Sequence, residues 1–96
     1  MIKSTTSYRD GLLKSLAKPE EAAAYLNAAL ADGDQDVFLM ALRDIADAKG
    51  MSRLAKSAKL NRESMYRMLS RRGNPRLSSL ESILQSAGLR LAVEVR

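Results

Sequence analysis

Seven residues, Asn61-Arg-Glu-Ser-Met-Tyr-Arg67, hold the densest set of side chains able to read a surface by hydrogen bonding. Arginine can donate a bidentate pair to guanine, glutamate can accept from the amino group of cytosine, and asparagine can pair with adenine. Asn61, Arg62, Glu63 and Ser64 are consecutive, and Arg67 follows one turn later, so a helix beginning here presents all five from its N-terminal half. They are the candidate base-reading residues. Ser52, Arg53, Lys56, Lys59, Arg71 and Arg72 flank them and suit phosphates, which set affinity and register but carry no sequence information.

Covalent chemistry finds much less support. The chain has no histidine and no cysteine, hence no imidazole base, thiolate nucleophile, disulfide or thiolate metal site. No glycine-rich phosphate loop is present. Asp44 and Asp47 stand three apart, as metal-binding carboxylates could, or they solvate the outer face of a helix. A non-enzymatic protein without metal or cofactor is expected.

Charge separates along the chain. Residues 1–48 carry five basic and eight acidic side chains, whereas residues 49–96 carry eleven and three. Between Lys49 and Arg76 there are nine Lys or Arg, and Glu63 is the sole acid. One half thus suits a polyanion. Asp32, Asp34, Asp36, Asp44 and Asp47 make the other half acidic; they could dock a basic protein partner, or simply solubilise two helices and keep that side off DNA. Single-stranded RNA readers usually offer aromatic platforms, and here Tyr66 stands alone, so duplex DNA is the expected polyanion.

The elements that must position these groups are helical. With 96 residues, 46% of them hydrophobic, the chain fits one domain with an aliphatic core. Thr6 to Ala17 can form a first helix, with Leu12, Leu13 and Leu16 on one side. Pro19 suits the first position of a second, which Glu20 and Glu21 favour and Gly33 stops. Asp34 can cap a third helix running to about Lys49, with Val37, Ala41, Ile45 and Ala48 on one face, Phe38 and Leu42 beside it, and Gly50 at its end.

Two short helices follow, Ser52 to about Ala58 and Arg62 to about Arg72, in a helix-turn-helix spanning Met51 to Ser70. Ala55 is small enough for the close approach of the pair, Leu54, Leu60, Met65 and Met68 can pack it, and Asn61 can cap its second helix. Such a second helix places its first turn in the major groove. Ordinary packing of two amphipathic helices is the plainer alternative. After a Gly73-Asn-Pro loop, Ser78 and Glu81 form an S-x-x-E capping box for a last helix ending at Gly88.

Beyond Gly88 the period falls to two. Leu89, Leu91, Val93 and Val95 alternate with Arg90, Ala92, Glu94 and Arg96, as in a half-buried strand. A lone strand either pairs with a second copy, giving a homodimer, or lies as an extended tail on the helices. The organisation expected is therefore one all-α domain over 1–96: N-terminal helices (1–50), helix-turn-helix (51–70), loop and C-terminal helix (71–88), and strand or tail (89–96). No apolar run approaches a bilayer span, and Met1 to Asp10 has no signal-peptide core, so a cytoplasmic protein without membrane contact is expected.

With these residues placed, the chain resembles the Cro/cI-type helix-turn-helix proteins and, more narrowly, the probable addiction-module antidotes, a HigA-like group of antitoxins. The resemblance rests on Pro19-Glu-Glu-Ala-Ala-Ala-Tyr-Leu-Asn-Ala-Ala-Leu30, Gly33-Asp34, Ala41-Leu-Arg-Asp-Ile-Ala46 and Gly50-Met-Ser52. It is strongest in Leu60, Arg62-Glu63, Tyr66, Leu69, Gly73-Asn-Pro75 and Gly88-Leu-Arg-Leu91. It implies a small lambda-repressor-like bundle and a type II antitoxin that neutralises a small basic toxin of RelE/HigB type and represses its own operon. A self-standing prophage-type repressor with no toxin shares the same DNA-facing residues. Lys59 occupies the turn position where that group usually has glycine, at a cost of about 1 kcal/mol if the backbone there is left-handed.

Overall fold

Proline loses nothing at the first position of a helix, where its N–H would have no intrahelical acceptor. In the computed structural model, which describes residues 5–96, Pro19 opens the second of six helices. They are α1 (Thr5–Leu16), α2 (Pro19–Asp32), α3 (Gln35–Lys49), α4 (Met51–Ser57), α5 (Arg62–Met68) and α6 (Leu77–Ser86). The expectation for Met1 to Asp10 falls partly outside the described residues. Among those residues there is no strand, and no helix is long and apolar enough to cross a membrane.

Local chemistry sets most boundaries. Gly33 ends α2 at φ 83° and returns its N–H to the Leu30 carbonyl, and the Asp34 carboxylate accepts from the Asp36 N–H at 2.8 Å to start α3. Gly50, at φ 95°, closes α3 and opens α4. One expected cap is absent. Arg76 lies extended after Pro75 and accepts the first helical bond from Leu80, so α6 starts at Leu77 and Ser78 is two positions too far in to cap it. The Ser78–Glu81 box therefore does not form.

Helix α3 is the centre of the fold and packs against α1, α2 and α4, while α4 carries α5 and α6. Neighbours on several sides bury a wide arc of α3, namely Leu39, Ala41, Leu42, Ile45 and Ala46. The expected stripe is thereby corrected: Val37 is 40% exposed and Ala48 only partly buried, because the arc turns towards Leu39 and Ala46. Leu16, Leu26, Leu54, Met65, Leu69, Ile83 and Leu84 complete the core.

Polar ties fasten the first three helices. The Arg9 guanidinium donates to Asp44 at 3.2 Å and to Asp47 at 2.8 Å, and the Tyr25 hydroxyl donates to the other oxygen of Asp44 at 2.7 Å. Burial, then this hydrogen bond, pushes the Tyr25 phenol up to about 12 from its ordinary 10.0. The neutral phenol is favoured in the fold, so its stabilisation is whole below pH 10 and is lost as pH rises towards 12. Alkaline titration of the phenolate absorbance is expected to show a late step near pH 12 that Tyr25→Phe removes. If Tyr25→Phe removes no such late step, the tie is not held in solution.

Candidate nucleic-acid interface

The close approach of α4 and α5 begins at Ala55, whose side chain is 2% exposed and whose carbonyl accepts from the Leu60 N–H at 2.8 Å. The turn between them contains one left-handed residue, Lys59 at φ 58°, at the position where the resemblance implies glycine. Met65 is fully buried beneath the pair, Leu54 is 2% exposed, and Leu60 and Met68 pack at the margin. Asn61 then caps α5: its side-chain oxygen accepts from the Glu63 N–H at 2.8 Å and the Ser64 N–H at 3.1 Å. That oxygen is thereby occupied, which leaves the amide nitrogen as the part of Asn61 able to reach a partner.

Of the other residues expected to read bases, Arg62, Glu63 and Arg67 are exposed and Ser64 is partly so. They are not loose. Arg67 donates to the Ser64 hydroxyl at 3.2 Å, and Arg62 reaches the Tyr66 hydroxyl at 3.4 Å while its guanidinium lies 5.5 Å from the ring centre. Arg43, from α3, stands 5.2 Å from the same ring. Two cations thus share one half-buried tyrosine. Arg43 was not among the residues singled out from the sequence. The four-residue spacing of Arg62 and Tyr66 is visible in the chain, but Arg43 joins them only through the packing of α3.

The flanking cations spread round the pair rather than gathering beside α5. Ser52, Arg53, Lys56 and Lys59 are exposed; Arg53 borders a shallow depression with Lys49 and Ser86, and Lys59 another with Ser82 and Ser86, both on the α6 side. Helix α5 ends at Met68, not near Arg72, because Leu69 turns fully into the core and the chain then folds back. Arg72 takes φ 64° and donates its N–H to the Asp36 carboxylate at 2.8 Å, and the Gln35 amide donates to the Gly73 carbonyl at 3.1 Å. The N-terminus of α3 so fastens the loop that follows α5.

Four of the five acids considered for docking a partner, Asp32, Asp34, Asp36 and Asp44, line one open cleft of about 490 Å³ with Tyr25, Val37 and Arg71. Asp47 lies outside it, paired with Arg9. Most of this acidity is structural: Asp34 caps α3, Asp36 holds Arg72, and Asp44 takes Tyr25 and Arg9. Asp34, Asp36 and Asp44 thus have partners within the fold. Asp32 is the member of the set with no hydrogen bond or ion pair among the described residues.

Comparison with known proteins adds the decisive observation. A family model described as "Probable addiction module antidote protein" matches residues 9–95, nearly the whole chain. The chain belongs to that family. It is also 35% identical over 79 residues to an uncharacterized protein of Haemophilus influenzae, covering 82% of this chain and 81% of the relative. No solved structure matches it. The match to the antidotes takes in α2, the α4–α5 pair and the loop beyond α5, so the residues that cap, tie and expose α5 all lie inside it.

Proposed function

We propose that this antidote-family chain is the antitoxin of a type II toxin–antitoxin module, acting in the cytoplasm. In this reading it binds a small basic toxin of RelE/HigB type and, as a homodimer, represses its own operon through a lambda-repressor-like helix-turn-helix formed by α4 and α5. The observation that carries the DNA half is α5 itself: its first turn is capped from within by Asn61, leaving Arg62, Glu63 and Arg67 exposed in the basic half of the chain. Family membership supports the toxin half.

In this reading α5 enters the major groove, where Arg62, Glu63, Ser64, Arg67 and the Asn61 amide meet base edges. Ser52, Arg53, Lys56, Lys59, Arg71 and Arg72 meet phosphates. Toxin docking uses the acidic side of α2 and α3, with Asp32 the side chain readiest to pair. Fluorescence anisotropy with DNA from upstream of the gene, against random duplex at two salt concentrations, tests the DNA half. Tighter binding to the upstream duplex supports it, and equal binding to both refutes sequence reading. Co-expression with the adjacent small gene tests the toxin half: no complex and no rescue of growth leaves a self-standing repressor.

Tyr66 supplies a finer prediction. A cation held on an aromatic face gains about 0.5–1 kcal/mol at exposed sites, and here the gain goes into aiming Arg62. Tyr66→Phe keeps the ring and is expected to retain operator affinity. Tyr66→Leu is expected to lose about 1 kcal/mol on the operator and little on random duplex. Equal losses on both would mean that the ring only supports the fold.

A further inference from the structure

Residues 90–96 extend from the domain without forming a single backbone hydrogen bond among the described residues. Leu89 ties the start of this tail, donating its N–H to the Leu84 carbonyl at 2.8 Å and packing on the core. Leu91 is 41% exposed beside a groove of about 580 Å³ that Leu26, Leu30, Phe38 and Leu84 line from the domain, and Arg90, Ala92 and Glu94 from the tail itself. Val93 and Val95 are each 99% exposed. The tail therefore presents an edge of backbone groups unpaired among the described residues and two valines that its own domain does not cover, and Arg90 and Glu94 form no ion pair among the described residues.

We propose that the occupant of this edge is the tail of a second copy, paired antiparallel about a two-fold axis at Ala92. The proposal rests on the homodimer reading above and specifies its register. In a symmetric antiparallel pair, residues directly opposite point to the same face, so odd positions must meet odd and even must meet even. Three centres remain for the tail: residue 91, 92 or 93.

A centre at Leu91 would pair Ala87 and Gly88 into the ladder, but their N–H groups already close the end of α6, on Ile83, Leu84 and Gln85. A centre at Val93 sets Arg90 opposite the partner's Arg96, a like-charge pair that destabilises a sheet. A centre at Ala92 sets Arg90 opposite the partner's Glu94, Leu91 opposite the partner's Val93 and Leu89 opposite the partner's Val95. Each pair occurs twice by symmetry, and the smallest side chain of the tail falls on the axis. Opposite charges meet on one face and aliphatic side chains on the other. The pairing brings the partner's Val93 to the groove that Leu91 borders. A two-stranded ribbon alone is marginal in water, so the contact with this groove is what holds it.

The test uses the full chain, which has no native cysteine. Light scattering is expected to give twice the chain mass. Among the single variants Leu91→Cys, Ala92→Cys and Val93→Cys, mild oxidation is expected to link Ala92→Cys fastest, because directly opposed Cβ atoms lie within or close to disulfide reach. Arg90→Glu is expected to weaken the dimer about tenfold, and adding Glu94→Arg to the same chain to restore it. A monomer at every concentration overturns the dimer and this register together. A dimer in which Leu91→Cys or Val93→Cys links faster overturns the register alone. A dimer indifferent to both charge reversal and tail cysteines lies elsewhere on the molecule and overturns the proposal while leaving the dimer reading intact.

Discussion

Gly73→Ala is expected to cost about 3 kcal/mol of stability, at the upper end of what overpacking usually costs. The reason is space rather than backbone freedom, since Gly73 is not among the residues with positive φ. A Cβ there would run into the carbonyl oxygen of Met68, while standing 2.8 Å from the Met68 carbonyl carbon and 2.9 Å from the Ser70 oxygen. These are backbone atoms at the end of α5, so no side chain can swing aside to relieve the clash. Nor can the loop lift away freely, because Gly73 donates to Ser70 at 2.9 Å and its carbonyl is held by Gln35. Chemical denaturation measures the loss. Gly11→Ala is the control: this exposed residue lies within α1 and has nothing within 4 Å of an added Cβ, so it is expected to gain about 0.5–1 kcal/mol. A Gly73→Ala protein as stable as its parent would show that the loop does not fold back over α5.

That loop also marks where sequence reading stops. The features legible in the chain are those that a few neighbouring residues decide: Pro19 at a helix start, Asp34 and Asn61 as caps, and Gly33 and Gly50 as stops. Each depends on bonds or sterics within about four residues. The end of α5 does not. Arg72 adopts a positive φ because Asp36, thirty-six positions earlier, accepts its N–H, and nothing beside Arg72 announces this. The capping box failed for a related reason. Ser78 and Glu81 satisfy the local rule, but Arg76 starts the helix two residues before Ser78, which leaves Leu80 partly buried and Ile83 and Leu84 fully so.

The candidate site divides along the same line. Exposure of Arg62, Glu63 and Arg67 follows from the cap and the helical period, and was readable. The sharing of Tyr66 between Arg62 and Arg43 needs α3 packed close to α5, so it belongs to tertiary structure. The acids of α2 and α3 read as a patch in the sequence and resolve in the fold into a cap, a loop clasp and an ion-paired tie, with Asp32 left over. In the tail the alternation was legible, but not whether its apolar side is covered. That depends on the groove beside α2 and α6, which brings Leu91 to the domain and leaves Val93 and Val95 in solvent.

Arg62→Ala and Arg67→Ala are each expected to cost about 1–3 kcal/mol on the operator and to relax discrimination against changed base pairs. Both guanidiniums are already steered, Arg62 by Tyr66 and Arg67 by the Ser64 hydroxyl, so little ordering remains to be done on binding. In the proposed function Arg71 and Arg72 act on another term. Losing a phosphate contact weakens binding to every sequence and lowers the slope of log K against log salt by about one. The two are not expected to be equal. Arg71 borders the cleft lined by Asp32, Asp34, Asp36 and Asp44, and these carboxylates compete with phosphate for its charge. Arg72 has its backbone held by Asp36, its side chain is exposed, and no ion pair engages it among the described residues. Arg72→Ala should therefore flatten the salt dependence more than Arg71→Ala does. Titrations of all four variants on operator and random duplex, each across a salt series, measure both terms. Equal losses on the two duplexes for all four would end the division between base-reading and phosphate-binding arginines. A larger slope change for Arg71 would instead show that the acidic cleft does not draw it from the DNA.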